Sequence, residues 1–317
     1  MAEFSGRQCS AGVVAITGAS GFVGAFLCQN LESAGFKVVR ITRRGGGDSR
    51  AVGDIGFNPD WDSCLKGVDT VVHCAAIAHQ PLGDTPEQKD YLHRVNCRAV
   101  KDLADACIRS GVSRLLFLSS VKVYGESTSL RLPFHESDQR LPEDDYGRSK
   151  FHAERTLEHF GESELDVCSL RLPLVYGVGA KANFRRLQRL AEAGFPLPLA
   201  SIDNRRSLLS LLNLGSVVRG LLNLKAWPFN ALNVADPSPV SVSDLVRGLA
   251  VASGTEARLF PFPVQVMRWM GALASRGDMV ERIVGNLEVS TELLRTELPE
   301  VRLMSTQLCI QEIFSGQ

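Results

Sequence analysis

A tyrosine and a lysine stand four residues apart in the segment Tyr146-Gly147-Arg148-Ser149-Lys150. If a helix begins by about Asp145, this spacing places both side chains on one helix face. A free phenol titrates near pH ~10, and a nearby ammonium lowers that pKa because it stabilises the phenolate. Tyr146 and Lys150 are therefore predicted to exchange a proton with a carbinol or carbonyl oxygen near neutral pH.

A pair of serines, Ser119-Ser120, ends an apolar run that is typical of a buried strand beginning at Arg114. Open parallel sheets bind their ligands at the carboxyl ends of the strands, so a hydroxyl at this place can hold a reacting oxygen. A Tyr-x-x-x-Lys pair alone is common on surface helices. The catalytic interpretation depends on Ser120 and on the motif at the start of the chain.

That motif is a glycine-rich loop, TGASGFVG, over residues 17–24. An apolar strand, Val13–Thr17, is predicted before it, and a helix is predicted to open near Phe22 and to stop at Gly35. Glycines between a strand and a helix let a pyrophosphate approach the backbone amides and the positive end of the helix dipole. We expect cofactor contacts from Gly18, Ser20, Gly21, Phe22, Val23 and Gly24.

The next predicted strand, 36–42, ends in Thr42-Arg43-Arg44 without the acid that NAD-preferring domains place on the ribose hydroxyls. Arg43 and Arg44 suit a 2′-phosphate, so NADP(H) is favoured and NAD(H) stays possible. The alternative is a solvated basic turn, because arginine is common on surfaces.

Two further segments fit a dinucleotide cleft. The Asp54 carboxylate, beside Ile55, can accept from an adenine amine, and Ala75-Ala76 at the end of the predicted strand 70–74 lets the cofactor lie against the sheet edge. His73, next to these alanines, is assigned no chemical role because no nucleophile stands beside it.

The composition is that of an ordinary globular enzyme. The 317 residues carry 35 basic and 35 acidic side chains, so no net charge attracts the chain to nucleic acid or to a membrane surface. The eight cysteines are dispersed without a C-x-x-C pair, so neither disulfides nor a metal site are expected. The start of the chain has no signal-peptide pattern and no later segment is apolar enough to span a membrane, which predicts a cytoplasmic protein.

Strand-like and helix-like segments alternate up to Pro173, which predicts a Rossmann-type α/β fold: a doubly wound parallel sheet with helices on both faces. A long helix is expected over 86–110, a helix over 145–160 and a strand over 166–172. Beyond Pro173 the pattern loosens and predicts a smaller substrate-binding region. The predicted boundaries are 10–173, with 207–235 returning to it, for the dinucleotide domain, and 174–206 with 236–317 for the substrate region.

These motifs together resemble the extended short-chain dehydrogenase/reductase family, in its branch of NAD-dependent epimerases and dehydratases. The resemblance covers nearly the whole chain and includes Asn96, the stretch SSVKVYG over 119–125 and the segment from Leu170-Arg171-Leu172-Pro173 to Tyr176-Gly177. It implies a catalytic triad of Ser120, Tyr146 and Lys150. Tyr146, Lys150, Asn96 and Pro173 are also expected at the cofactor, with Asn96 supporting the active-site hydrogen bonds.

The resemblance further implies a UDP-sugar substrate and a homodimer. The matching substrate positions are Ser120, Lys122, Asn183 and Arg206, and Arg205 is a weaker alternative to Arg206. An arginine suits a diphosphate because its planar fork binds two oxygens, although a surface arginine is the alternative interpretation.

Three functions are compatible with these residues: reduction, epimerisation and cofactor binding without catalysis. Dehydratases tend to carry Thr-Asp-Glu where this chain has Ser120-Val121-Lys122, so water elimination is disfavoured. The sequence looks most similar to bacterial reductases that use NADPH to reduce the C4 keto group of a UDP-4-keto-6-deoxy-N-acetylhexosamine in surface-polysaccharide precursor synthesis, and that activity is the favoured hypothesis. A UDP-sugar 4-epimerase that uses NAD is the alternative. A non-catalytic NAD(P)-binding scaffold is a third, against which the intact triad argues.

Overall fold

The computed structural model describes residues 12–78, 85–160, 165–180 and 182–315, the side chains of residues 182 and 183 excepted. Nine strands are described, with these bounds: β1 Val13–Thr17, β2 Lys37–Thr42, β3 Ser49–Ala51, β4 Thr70–His73, β5 Arg114–Ser120, β6 Asp166–Leu172, β7 Leu174–Tyr176, β8 Leu208–Ser210 and β9 Ala231–Asn233. The predicted boundaries of the first domain begin at residue 10, and residues 10 and 11 lie outside the described ranges.

Twelve α-helices are described in the same ranges, with these bounds: α1 Phe22–Ser33, α2 Trp61–Cys64, α3 Pro86–His93, α4 Ala99–Arg109, α5 Asp145–Glu158, α6 Ala182–Glu192, α7 Leu211–Asn223, α8 Val242–Ala252, α9 Val264–Leu273, α10 Gly277–Val284, α11 Glu292–Glu297 and α12 Thr306–Phe314. No described helix is long and apolar enough to cross a bilayer.

Seven of the strands form one sheet in the order β3-β2-β1-β4-β5-β6-β9. The pairs β2–β3, β1–β2, β1–β4 and β4–β5 are parallel. The chain passes from β1 outward to β3 and then returns to β4 on the other side of β1, which creates the point of reversed strand order where such sheets bind ligands. The predicted Rossmann-type fold class is confirmed.

Burial explains why the central strands read as apolar runs. Leu115, Leu116 and Phe117 of β5 are fully buried, as are Val71 and Val72 of β4. Parallel strands covered on both faces lack the alternation of half-exposed strands. The strands therefore hold their carboxyl ends, with Thr17, His73 and Ser120, at fixed places.

The long helix expected over 86–110 is interrupted. It consists of α3, a π-helical turn over Arg94–Arg98, and α4. Thr85 caps α3 through its hydroxyl and Pro86 stands at its first turn, whereas the π-turn contains the buried Asn96. The turn inserts an extra residue into the helical ladder, which re-aims the side chains around it. Periodicity alone did not predict this interruption.

The described residues divide into two compact units. The first draws on Met1–Ser119, Ser149–Leu170 and Val217–Ala231, and the second on Ser120–Arg148, Arg171–Ser216 and Leu232–Gln317. Residues 120–148 belong to the second of these units, and the domain boundaries given by the sequence stay a prediction. In the first unit, a contiguous hydrophobic cluster of described residues is formed by strands β1, β2, β4, β5 and β6 with helices α2, α4 and α5.

In the second unit, a buried aspartate ties separate segments together. Asp236 accepts hydrogen bonds from the Tyr176 hydroxyl at 2.7 Å, the Ser210 amide at 3.0 Å and the Asn213 side chain at 2.7 Å. Burial raises the pKa of Asp236, and these donors oppose the rise. The network fixes β7, β8 and α7 to each other.

Candidate active site

The glycine loop follows β1, and two of its glycines lie so close to neighbouring main chain that a Cβ would collide with it. Gly18 has a φ of 63°, and a Cβ there would lie 2.9 Å from the Ala75 backbone nitrogen. A Cβ at Gly24 would lie 2.3 Å from the Gly18 carbonyl oxygen. These two positions therefore have no room for a side chain, which allows a ligand to approach the loop amides closely.

The first turn of α1 is suited to an anion. Gly21 precedes the helix, no described side chain caps its first amides, and no acidic residue stands in its first turn. The unpaired amides and the helix dipole favour a negative group at this end. The residues present thus fit the pyrophosphate of a dinucleotide, and the contacts of Gly18, Ser20, Gly21, Phe22, Val23 and Gly24 with it stay predictions.

Thr17 connects the loop to the end of β4. Its hydroxyl oxygen lies 2.8 Å from His73 Nδ1 and accepts from the amides of Cys74 at 3.1 Å and Ala75 at 3.2 Å. Burial and the Lys150 charge lower the pKa of His73 to about 3, so its imidazole is neutral at physiological pH. The predicted cofactor residues Ala75 and Ala76 extend from this anchored point.

The basic residues after β2 have separate environments. Arg43 forms an ion pair with Asp54, whose carboxylate also accepts from the Tyr91 hydroxyl at 3.0 Å and from the Gly56 amide at 2.9 Å. Arg44 is exposed. The Asp54 carboxylate, predicted to accept from an adenine amine, is thus already held by three donors, and Arg43, predicted to grip a 2′-phosphate, is already paired. Ile55 next to Asp54 is half-buried.

Lys150 lies on the buried face of α5. Its ammonium donates to the Leu118 carbonyl oxygen at 2.8 Å and lies 4.5 Å from the centre of the Phe117 ring. Burial lowers the pKa of Lys150 to about 8, although Cys74 and Glu154 oppose the shift. Because the ammonium is anchored to β5, its position is fixed before any ligand arrives.

Ser120 is the last residue of β5 and is buried, and its hydroxyl accepts from the Lys122 amide at 3.3 Å. The neighbouring Ser119 instead donates to Glu154 of α5 at 2.5 Å. Ser119 thus holds β5 against α5, whereas Ser120 is the serine at the end of the strand.

Tyr146 lies in the first turn of α5, one helical turn before Lys150, as the spacing predicts. Burial raises the pKa of its phenol above the usual value, and the Asp144 carboxylate raises it further. The direction differs from the expected acidification by Lys150. The physical reason is that desolvation and a nearby carboxylate both disfavour the phenolate.

Asn96 joins three segments of the first unit. Its side-chain oxygen accepts from the Ile77 amide at 2.8 Å, and its amide group donates to the Ile77 carbonyl at 3.0 Å and to the Ser149 hydroxyl at 3.1 Å. It therefore supports the strand-end segment next to Ala75-Ala76 and the helix that carries Lys150. Pro173, the other residue expected at the cofactor, is buried between β6 and β7.

A group of charges in the second unit contains one predicted substrate residue and one that the sequence did not indicate. Arg206 donates to the Gly285 carbonyl at 3.0 Å, and burial lowers its pKa although Glu126 opposes the shift. Arg282 of α10 donates to Glu126 at 3.2 Å and, through its charge, also lowers the pKa of Arg206. Arg282 stands in an ordinary amphipathic helix, so its sequence context gives no signal.

The other predicted substrate residues are placed as follows. Lys122 forms ion pairs with Glu126 and Asp144. Arg205, the weaker alternative, is largely exposed and pairs with Glu288 at 2.9 Å. Asn183 is in α6, but its side chain lies outside those that the structure describes.

The chain is similar to known proteins over most of its length. Residues 14–211 match the model of the NAD dependent epimerase/dehydratase family. A UDP-glucose 4-epimerase of Vibrio cholerae is 36% identical over 283 residues, which cover 87% of this chain and 86% of that protein. A solved structure described as MoeE5 in complex with UDP-glucose and NAD has a TM-score of 0.74 at 26% identity and covers 96% of this chain and 97% of that one.

A UDP-N-acetylglucosamine 4-epimerase from Bacillus cereus has the same fold, with a TM-score of 0.77 at 20% identity and coverage of 96% of this chain and 98% of that chain. With the glycine loop at the end of β1 and the Ser, Tyr and Lys residues on β5 and α5, these matches confirm the resemblance that the sequence implied. The chain belongs to the NAD dependent epimerase/dehydratase family, within the extended short-chain dehydrogenases/reductases.

Proposed function

We propose that this chain is an NAD-dependent 4-epimerase of a UDP-sugar. The observation that carries the proposal is the similarity to the Vibrio cholerae UDP-glucose 4-epimerase across 87% of the chain, together with an intact Ser120, Tyr146 and Lys150. The epimerase, the alternative hypothesis drawn from the sequence, thereby becomes the main one, because the Vibrio cholerae relative is a UDP-glucose 4-epimerase and the family is described as NAD dependent.

Most of the residues that would hold the cofactor belong to the first unit. The glycine loop and the amides of α1 would bind its pyrophosphate, Asp54 and Ile55 would border the adenosine, and Ala75, Ala76, Asn96 and Pro173 would border the remainder. When bound, NAD supplies the reversible two-electron acceptor that the interconversion of a C4 alcohol and a C4 ketone needs.

The protein groups would move and hold the proton. Tyr146 would accept the proton of the C4 hydroxyl and return it when the alcohol re-forms, Ser120 would hold the same oxygen, and Lys150 would orient the ribose and supply positive charge. Since desolvation and Asp144 raise the pKa of Tyr146, the positive charge that Lys150 supplies would be needed to lower that pKa toward neutral pH.

The nucleotide diphosphate would be bound in the second unit. The guanidinium of Arg206 is partly desolvated and makes one described hydrogen bond, to the Gly285 carbonyl, and the charge of Arg282 acts on it. An anion between the two guanidiniums would relieve their repulsion, and each planar fork can take two phosphate oxygens. Asn183 and Lys122 stay predictions as substrate residues, as do the homodimer and the cytoplasmic location.

One observation favours a second candidate, the NADPH-dependent reductase of a UDP-4-keto-6-deoxy-N-acetylhexosamine. Strand β2 is followed by Arg43 and Arg44 with no acid at its end. Such a site favours a 2′-phosphate. The reductase and the epimerase would use the same three catalytic side chains and would differ in whether the cofactor leaves after each turnover.

The test uses the purified full chain. The protein is denatured to identify any nicotinamide that it carries, fresh protein is titrated with NADH and NADPH by nicotinamide fluorescence, and UDP-glucose and UDP-N-acetylglucosamine are assayed for conversion to their C4 epimers. Tightly held NAD and epimerisation of either sugar are expected. A site that prefers NADPH, with NADPH consumed by a 4-keto sugar nucleotide and no epimerisation, would establish the reductase instead.

A further inference from the structure

The side chain of Lys122 links the turn that follows β5 to the segment that begins α5. Its ammonium lies 2.5 Å from Asp144 Oδ2 and 2.7 Å from Glu126 Oε1. The side chains of Lys122 and Asp144 are only 28% and 30% exposed. The pair is therefore shielded from water on most sides, and it is stronger than a fully exposed ion pair.

Asp144 in turn holds the start of α5. Its Oδ1 accepts from the Gly147 amide at 2.7 Å, and its backbone carbonyl accepts from the Arg148 amide at 2.9 Å. This is the geometry of an N-cap, which satisfies amides that a helix end leaves unpaired. Tyr146 is the second residue of the helix that Asp144 caps.

The main chain of Lys122 also contacts this helix start. A Cβ at Gly147 would lie 2.8 Å from the Lys122 carbonyl oxygen, so the first turn of α5 packs directly on that backbone. The Lys122 amide donates to the Ser120 hydroxyl at 3.3 Å. One residue thus contacts both the serine at the strand end and the turn that carries the tyrosine.

We propose that Lys122 is a positioning residue, which through Asp144 fixes the first turn of α5, and with it Tyr146, relative to Ser120. The role in catalysis rests on the proposed function, since it requires that Tyr146 and Ser120 act on one oxygen. This role in the protein scaffold of the site requires no contact between Lys122 and the substrate.

The Lys122–Asp144 pair also determines how much negative charge lies near the Tyr146 phenol. Asp144 is the carboxylate that raises the pKa of Tyr146. Lys122 and Glu126 face Asp144 from the turn after β5, with Arg282 of α10 behind Glu126, and Lys150 follows one turn along α5. Without the Lys122 charge, the negative charge of Asp144 is no longer offset and raises the pKa of Tyr146 further. Without the Asp144 charge, the pKa of Tyr146 falls. The two substitutions therefore shift the pH dependence in opposite directions.

The experiment compares Lys122→Met, Asp144→Asn, their double variant and Lys122→Arg. Asparagine keeps an N-cap acceptor, so the helix start is retained while the ion pair is lost. We expect kcat to fall about 10- to 100-fold in both single variants, since small displacements of a reacting group have effects of that size. KM should stay within about threefold, the double variant should be no worse than the poorer single one, and Lys122→Arg should recover most of kcat.

The pH profile of kcat and amide hydrogen exchange distinguish the ways in which the proposal could fail. The half-maximal pH of kcat should rise in Lys122→Met and fall in Asp144→Asn, and the amides of 144–150 should exchange about tenfold faster in Lys122→Met. Lys101→Met is the matched control: it removes an exposed pair with Asp105 whose 2.7 Å length equals that of Lys122–Glu126, and it should leave kcat and exchange unchanged.

A raised KM with unchanged kcat in Lys122→Met, together with a fully active Asp144→Asn, would make Lys122 a substrate ligand and overturn the proposal. Unchanged exchange at 144–150 would overturn it as well. If the wild-type chain does not epimerise any sugar while exchange in Lys122→Met rises as expected, the proposed function fails and the fastening of α5 by Lys122 stands.

Discussion

A Cβ on Gly24 would lie 2.3 Å from the Gly18 carbonyl oxygen, well inside the closest approach of two such atoms. Gly24 is in the first turn of α1, whereas Gly18 opens the loop, so the helix start rests on the main chain of the loop. The two glycines therefore set the distance between the strand end and the helix amides that are proposed to bind the cofactor.

Substitution Gly24→Ala is expected to weaken NADH binding at least about tenfold, because the methyl group forces the loop and the helix amides apart. Fluorescence titration with NADH measures the loss. Gly277→Ala is the matched control, since a Cβ there meets nothing within 4 Å, and it should bind NADH as the wild type does. Equal affinity of Gly24→Ala and wild type would show that the loop does not hold the cofactor.

Substitution Tyr146→Phe removes the proposed proton carrier and keeps the ring. We expect kcat to fall about 10²- to 10⁴-fold with NADH affinity retained, which is the usual range for the loss of a general acid–base group. Because burial and Asp144 raise the pKa of Tyr146, the wild-type rate of alcohol oxidation should increase with pH as the phenolate becomes populated. A Tyr146→Phe variant with wild-type activity would support the non-catalytic scaffold.

The ion pair between Arg43 and Asp54 leads to a prediction about the choice between NADH and NADPH. While Asp54 neutralises Arg43, that arginine has little charge to offer a 2′-phosphate. Asp54→Asn is expected to raise the affinity for NADPH relative to NADH several-fold, and Arg43→Ala combined with Asp54→Asn should cancel the gain. The ratio of the two dissociation constants is the measurement, because any change at the adenine affects both cofactors alike. An unchanged ratio would place Arg43 away from the ribose.

His73 predicts how the stability of the chain depends on pH. The folded state lowers the pKa of His73 to about 3, so only the unfolded chain takes up a proton as the pH falls below ~6.5. The stability that the neutral imidazole provides is present above pH ~6.5 and decreases below it. Between pH 7 and pH 5 we expect this group to cost about 2 kcal/mol.

Urea unfolding of wild type and His73→Asn at both pH values measures that difference, since the variant lacks the titrating ring and shares the remaining groups. The wild type should lose about 2 kcal/mol more than the variant between the two pH values. Equal losses would mean that folding does not lower the pKa of His73.

Much of the fold was predictable because its signals are local. Apolar runs such as Leu115–Leu118 mark buried parallel strands, and Gly35, with a φ of 87°, ends α1 where a residue of that conformation is required. The placement of Tyr146 and Lys150 one turn apart on α5 was predictable for the same reason, since it depends on helical spacing alone. The interruption of the helix over 86–110 was not, because the π-turn depends on what Asn96 contacts in distant segments.

By itself, the sequence determined the residue types of the site, the strand–loop–helix order around the glycines and the family. Only the tertiary structure decided how the charges are used. It pairs Arg43 with Asp54 and Lys122 with Asp144. It also desolvates Tyr146 and brings the charge of Arg282 close enough to lower the pKa of Arg206. Pairing and desolvation depend on partners that are far apart in the chain, and these partners set the free energy of a charge more strongly than its chemical type does.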